Sequence, residues 1–174
     1  MSTAQASKLA RWRRVLRHLW YVALDKKPSP ELLQHLAQAV TVSEQRHSGQ
    51  VRICIEASLP LSYLLRQAAP RERAITLFGK LRVWDTEHNS GVLIYLLLAD
   101  RAVEIVADSG ISRHVSADQW QALVSQLAQA LRSGQTQAGL LLALQEVSTL
   151  LEQHFPLKPG QTQANELPDA PWVG

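Results

Sequence analysis

Cysteine is almost absent from this sequence, which has only Cys54 among its 174 residues. A single thiol excludes a disulfide framework within the chain and a metal cluster built from thiolates. Cys54 lies in an apolar run typical of a strand, whereas a reactive thiol needs exposure and a basic neighbourhood. We therefore expect Cys54 to be a small buried hydrophobic residue.

Long apolar runs are also missing. No stretch approaches the roughly 18 residues that are needed to span a bilayer. The longest apolar run near the N-terminus, residues 19–24, is not followed by a small-residue cleavage site of the signal-peptide kind. These absences predict a soluble protein that is made and kept in the cytoplasm.

Several catalytic motifs are absent too. The chain has no phosphate-binding glycine loop, no Gly-x-Ser-x-Gly elbow and no His-Glu-x-x-His pair. No reaction is therefore predicted from a motif, and the sequence leaves the catalytic residues unknown.

The net charge of +3 is unevenly distributed along the chain. Residues 1–27 contain seven lysines and arginines but a single acid, which gives this segment a charge of +6. The remaining residues carry a charge of −3. A basic N-terminal segment on a mildly acidic body favours binding to acidic surfaces.

The basic segment has helical periodicity. Leu9, Trp12, Leu16, Leu19 and Trp20 recur at helical spacing, which predicts an amphipathic helix over residues 8–24. In one interpretation the helix packs on the domain through its tryptophans and leaves its arginines in solvent. In the other it binds a membrane surface or a protein partner, because tryptophans with basic residues are typical of interfacial helices. The candidate binding residues are Arg11, Trp12, Arg13, Arg14, Arg17 and Trp20. Nucleic-acid binding is not expected, since no recognised motif accompanies the basic residues.

The middle of the chain predicts a β-sheet. Apolar runs at 91–98 and 102–107 flank the polar pair Asp100–Arg101 and indicate a hairpin. Residues 50–57 alternate as a first strand, and the helical segments between the first two strands make these strands parallel. We interpret Asp100 and Arg101 as turn residues, with Arg101 free to pair with Asp100 or with Glu56.

Residues 28–156 are therefore predicted to form one α/β domain, a three-layer sandwich with a small mixed β-sheet and helices on both faces. Ser29 before Pro30, and Ser116 with Gln119, are helix-capping patterns. The last helix is expected from Thr136 to His154. Residues 157–174 are polar, contain three prolines and lack periodicity, so they predict a flexible tail.

Oxygen-bearing side chains flank the predicted hairpin at its open end. Asp85, Glu87 and Asn89 precede the second strand, and Asp108 follows the third. Calcium and magnesium prefer oxygen ligands of these kinds, so the four residues are a candidate metal site if the strands pair as predicted. The alternative is a solvated polar loop, and His88 and His114 are interpreted as loop histidines rather than ligands.

The run from Asn89 to Arg101, followed by Val-Glu-Ile-Val at 103–106 and by Gly110–Ile111, resembles the core of the TPM domain family. That family includes a thylakoid lumen protein connected with photosystem II repair and many bacterial proteins. The resemblance covers roughly residues 28–156 and is strongest to the short cytoplasmic bacterial type. The matching positions are Asn89, Gly91, Asp100, Arg101, Gly110 and Asp118. The chain departs from the family at 108–110, where Asp-Ser-Gly replaces a frequent Gly-x-Gly.

The resemblance implies an α/β sandwich with a divalent-metal site and, in some members, phosphatase activity. Two hypotheses about function follow. The first is a non-enzymatic TPM-type module that binds a protein partner or a membrane surface, in the cytoplasm or peripherally at the inner membrane. The second is a calcium- or magnesium-dependent phosphatase that uses the end of the sheet between Asp85 and Asp108.

Overall fold

The computed structural model describes residues 3–158 and 164–174 of the chain. Seven helices and four strands lie within these residues. In chain order they are α1 Thr3–Ala23, α2 Pro30–Glu44, β1 Gln50–Glu56, α3 Leu61–Leu65, α4 Pro70–Lys80, β2 Gly91–Leu97, β3 Ala102–Ala107, α5 Ser109–Ser112, α6 Ala117–Arg132, α7 Thr136–His154 and β4 Trp172–Val173.

The four strands form one mixed sheet in the order β3-β2-β1-β4. β1 and β2 are parallel, with Ile53 opposite Ile94, and helices α3 and α4 connect them. β2 and β3 form an antiparallel hairpin whose turn contains Asp100 and Arg101. The predicted crossover and hairpin are thus confirmed.

The central strands bury side chains on both faces of the sheet. Every residue of β1 and of β2 is buried. β2 is a continuous apolar run, as is usual for a strand that is covered on both faces, whereas β1 also buries Gln50, Arg52 and Glu56. On one face, Ile53 and Ile94 share a core with residues of α2, α6 and α7. On the other face, Leu93 and Tyr95 pack with residues of α3 and α4. The fold is therefore α/β with helices on both faces, as predicted.

The local signals at Cys54 and at the helix caps also agree with the sequence. Burial raises the pKa of the Cys54 thiol to about 12, which fits an inert core residue. The Ser29 hydroxyl accepts a hydrogen bond from the N–H of Leu32, and Ser116 and Gln119 form a reciprocal capping box. Such N-caps each contribute about 0.5–2 kcal/mol of helix stability.

Residues 164–174 are packed on the sheet. Strand β4 extends the sheet beyond β1, Leu167 is buried, and the Arg52 guanidinium donates to two backbone carbonyls of this segment. The prediction of a flexible tail over 157–174 does not hold for these residues, because so short a strand leaves no periodic pattern in the sequence. Residues 159–163 lie outside the described part of the chain.

Candidate functional site

Helix α1 lies on the domain with its polar face inward. The His18 side chain is 0% exposed. Arg14 Nε donates to Asp100 Oδ2 at 3.0 Å, and Arg17 donates to the other oxygen of the same carboxylate. The interpretation in which α1 packs through its tryptophans and leaves its arginines in solvent is therefore wrong.

His18 connects α1 to two parts of the domain. Its Nδ1 atom accepts a hydrogen bond of 3.1 Å from the backbone N–H of Leu59, so the proton of the neutral ring is on Nε2. Nε2 lies 3.1 Å from Asp100 Oδ1, although it is off the direction of a good hydrogen bond. The ring is thus held between the loop after β1 and the hairpin turn.

Asp100 is the anchor of α1. Burial by itself raises the pKa of this carboxyl, but the contacts with His18, Arg14 and Arg17 outweigh burial and hold the pKa well below its usual range. The interpretation of Asp100 as a turn residue is therefore incomplete, because its side chain also fastens the N-terminal helix. Among the described residues, the expected pairing of Arg101 with Asp100 or Glu56 is not formed.

The outer face of α1 is apolar and exposed. Trp12 is 65% exposed and Trp20 is 62% exposed, and both lie on the stripe that helical spacing predicted. We call this surface the outer face of α1. Its large apolar residues are Leu9, Trp12, Leu16, Leu19, Trp20 and Val22.

The predicted binding arginines have two different roles. Arg11 donates to the carbonyl of Leu65, and Arg14 donates to that of Ala68 at 3.0 Å, so these side chains hold α1 against the domain together with Arg17. Arg13 is exposed and makes no contact of this kind with the described residues. Most of the positive charge on the helix therefore fixes its orientation.

The candidate metal residues lie at the opposite end of the sheet from the hairpin turn. Asp85 pairs with Arg82, and the backbone N–H of Glu87 donates to the carboxylate of Glu166 at 3.1 Å. Asp108 Oδ1 accepts from the N–H of Ser109 and caps α5. Nowhere in residues 3–158 and 164–174 do three His, Cys, Asp or Glu side chains come together as a metal-binding group. The described residues thus do not assemble a full donor set, and we derive no catalytic step from one.

At this end of the sheet, two of the positions that match the family require glycine for steric reasons. A Cβ atom on Gly91 would lie 1.9 Å from the carbonyl oxygen of Val83, and one on Gly110 would lie 2.4 Å from that of His88. Both distances are far below a van der Waals contact, so the backbone approach requires glycine at both positions. Asn89 has φ of 49°, a left-handed conformation that asparagine tolerates better than most residues.

A buried ionic network at the end of β1 was not predicted. The Nε atom of Arg73 donates to Glu56 Oε2 at 3.0 Å, and the Tyr95 hydroxyl donates to the same oxygen at 2.7 Å. Burial, followed by the charge of Glu56, raises the pKa of Tyr95. A tyrosine inside an apolar strand requires a hydrogen-bond partner for its hydroxyl, and Glu56 on the neighbouring strand is a candidate for that partner. Nothing in the sequence indicates that Arg73 on α4 also contacts Glu56.

A histidine and a serine also meet inside the protein. His47 Nε2 lies 3.1 Å from Ser148 Oγ, and the His47 Nδ1 atom lies 3.1 Å from the carbonyl of Gly49. Burial lowers the pKa of His47 to about 4. Both side chains are fully buried, so the pair joins the loop between α2 and β1 to α7 and does not form a site that a substrate reaches.

None of the helices in the described ranges is long and apolar enough to cross a bilayer.

Known proteins share this architecture. The TPM domain family model matches residues 29–150, from the start of α2 into α7. The NMR structure of the BA42 protein from the psychrophilic bacterium Bizionia argentinensis is similar, with a TM-score of 0.72 and 25% sequence identity. That alignment covers 84% of this chain and 94% of the BA42 chain. A search of curated proteins gave no match. The family match extends over well more than half of the chain, and the protein belongs to the TPM domain family.

Proposed function

We propose that the protein is a TPM-type binding module that docks on an anionic membrane surface through the outer face of α1. The observation that carries the proposal is the inverted packing of this helix. Its polar residues are used for attachment to the domain, and its tryptophans and leucines are left in solvent. Exposed apolar patches of this kind commonly mark interaction surfaces.

The composition of the outer face favours a membrane interface. Trp12 and Trp20 lie two helical turns apart with leucines between them. Amphipathic helices with tryptophan and leucine on one side and basic residues on the other lie in the plane of the membrane interface. Tryptophan suits this position because its ring is apolar and its N–H can reach water.

Charge complementarity favours an anionic surface such as anionic lipid over a neutral apolar groove of a protein. α1 contains no acidic residue, and the exposed side chains of Arg13, Lys26 and Lys27 add positive charge beside the outer face. Each lysine or arginine near an anionic membrane contributes about 1 kcal/mol of binding. A protein partner is the other possible occupant, and the experiment below distinguishes the two.

The double substitution Trp12→Ser, Trp20→Ser is expected to reduce co-sedimentation with phosphatidylglycerol vesicles. Burying one large apolar side chain contributes about 1.5–3 kcal/mol, so the loss of two should lower the partition coefficient about a hundredfold or more. The measurement is a sedimentation isotherm with increasing lipid at low salt.

Trp84→Ser is the matched control, because Trp84 is also an exposed tryptophan but lies outside α1. This variant should bind vesicles as the parent does. Absence of vesicle binding by the parent would contradict the proposal and leave a protein partner as the occupant of the outer face. An equal loss of vesicle binding in Trp84→Ser and in the double variant would also contradict the proposal.

A divalent-metal-dependent phosphatase is the second candidate function. One observation supports it: Asp108 Oδ2 is buried and has no hydrogen-bond partner among the described residues. A bound cation would satisfy that oxygen, and Asp85, Glu87 and Asn89 are the other ligands that the sequence predicts. The family resemblance adds the class of reaction, namely hydrolysis of a phosphate ester.

Titration with calcium or magnesium tests this candidate without an activity assay. If metal binds, the backbone amide NMR signals of Asp85, Asn89 and Asp108 should shift saturably, and Asp108→Asn should weaken the apparent affinity at least about tenfold, since it removes a charged ligand. Asp118→Asn, at an exposed position in the first turn of α6, should leave the titration unchanged. Unshifted spectra at millimolar metal would refute both the site and the phosphatase.

A further inference from the structure

A concave surface lies at the carboxyl ends of β1 and β2, beside the hairpin turn. Its cavity has a volume of about 460 Å³, within the range of small-molecule sites. The linker between α1 and α2 forms one wall, and the C-terminal end of α6 forms another. Ligands of α/β proteins bind preferentially outside the carboxyl ends of parallel strands. We call this cavity the basic pocket.

The charge around the basic pocket has one sign. Lys26, Lys27, Arg101 and Arg132 line it, and no aspartate or glutamate does. The four cations come from three separate segments: the α1–α2 linker, the β2–β3 turn and the end of α6. Their convergence is therefore produced by the fold rather than by a run of basic sequence.

The two arginines are the uncompensated members of this set. Lys27 pairs with Asp25 at 2.8 Å, and Lys26 lies over the Tyr21 ring at 5.2 Å. Over the described residues, by contrast, neither Arg101 nor Arg132 forms an ion pair with an acid. Arg101 is held at the rim by the left-handed turn, with φ of 48°. Two free guanidinium groups at one rim suit a carboxylate or a phosphate, which they can bind through paired hydrogen bonds.

The floor of the basic pocket is apolar. Ile55 and Leu96, which are opposite each other in the parallel pair, are buried beneath it. The partly exposed side chains of Leu32 on α2 and Leu98 after β2 supply its accessible apolar surface. An inorganic ion would leave this floor in contact with water. A ligand with an apolar portion would cover it and gain free energy from the buried area.

We propose that the basic pocket binds a small amphiphilic anion, a phosphate monoester or carboxylate carried on a short apolar chain. The anionic group would contact Arg101 and Arg132, and the apolar chain would lie on Leu32 and Leu98. Such an anion has two sources, a soluble metabolite or the headgroup region of a lipid. The lining of the pocket contains none of the apolar residues of the outer face of α1, so binding of octyl phosphate does not require membrane docking.

Calorimetric titration of the full chain with octyl phosphate, below its micelle concentration, tests the proposal. We expect saturable binding of one equivalent. Arg101→Gln and Arg132→Gln should each weaken it about tenfold, as expected for one charge-assisted hydrogen-bonding partner. Arg113→Gln is the matched control, because Arg113 is exposed at the end of α5, outside the lining of the pocket, and this variant should leave binding unchanged. Inorganic phosphate should bind at least about tenfold more weakly than octyl phosphate, since it cannot cover the floor.

Competition with phosphatidylglycerol vesicles distinguishes the two sources. Displacement of octyl phosphate by the vesicles assigns the pocket to a lipid headgroup. Octyl phosphate that stays bound in the presence of vesicles assigns the pocket to a soluble anion. Either result supports an anion site in the basic pocket. No heat of binding at millimolar octyl phosphate would overturn the proposal. So would binding that all three arginine variants leave unchanged, or equal affinity for inorganic phosphate and octyl phosphate.

Discussion

Replacing Arg73 by methionine is expected to lower the free energy of unfolding by about 3–5 kcal/mol. Arg73 donates to both carboxylate oxygens of Glu56, and Glu56 is 2% exposed. Methionine retains much of the side-chain volume but leaves the carboxylate without its cation in a dry environment. The Tyr95 hydroxyl remains as its hydrogen-bond donor, which offsets only part of the loss. Urea unfolding monitored by circular dichroism measures the change.

The matched control for this prediction is Arg82→Met. Arg82 also pairs with an acid, Asp85, but both side chains are largely exposed, and exposed pairs of this kind contribute about 0–1 kcal/mol. If Arg73→Met proves as mild as the control, the buried network is not a major source of stability in this fold.

Asp100→Asn is expected to release helix α1 from the domain. The substitution removes the charge that Arg14, Arg17 and His18 share, and it leaves a buried imidazole and a half-buried guanidinium without their acid. Breaking a buried ion pair costs about 3–5 kcal/mol, and this site is somewhat exposed, so we expect a local loss of about 2–3 kcal/mol. Hydrogen exchange of the α1 amides should then become about 30- to 150-fold faster, while exchange in β1 and β2 stays slow.

The pH dependence gives a second signature of Asp100. Because its folded pKa is lowered, its contribution is fully present above the unfolded pKa of about 4 and is lost as the pH falls below that value. The stability difference between the parent and Asp100→Asn should therefore be constant above about pH 5 and should shrink below about pH 4. Asp25→Asn removes an exposed pair with Lys27. It should change neither the hydrogen exchange of the α1 amides nor the pH dependence of stability. A difference that stays constant to low pH would contradict the assignment of Asp100 as the anchor.

The β-sheet could be predicted because its signals are local. The apolar runs of β2 and β3 and the polar pair between them specify the hairpin, and alternation in residues 50–56 specifies β1. Helical caps such as Ser116 with Gln119 are equally local. Strand β4 has no such signal, because its two residues are defined only by the edge of β1 on which they pair.

The orientation of α1 could not be predicted for a physical reason. Periodicity identifies an apolar stripe and a polar stripe on a helix, and the usual assumption is that the apolar stripe faces the core. Here Asp100, on a distant turn, requires positive partners, and Arg14 and Arg17 supply them. The long-range pairing of Glu56 with Arg73 escaped prediction in the same way, because a charge in the sequence does not reveal which of many cations it meets.

Membrane insertion of the outer face of α1 is tested most directly with a spin label at residue 16. Leu16→Cys places a thiol in the middle of that face, and the native Cys54 is buried and should stay unlabelled. On phosphatidylglycerol vesicles, power-saturation electron paramagnetic resonance should show the label at residue 16 accessible to oxygen and shielded from a water-soluble nickel complex. A label on Gln121→Cys, at an exposed position on α6, should remain accessible to nickel. A label at residue 16 that stays as accessible to nickel as the one at residue 121 would contradict membrane docking through α1.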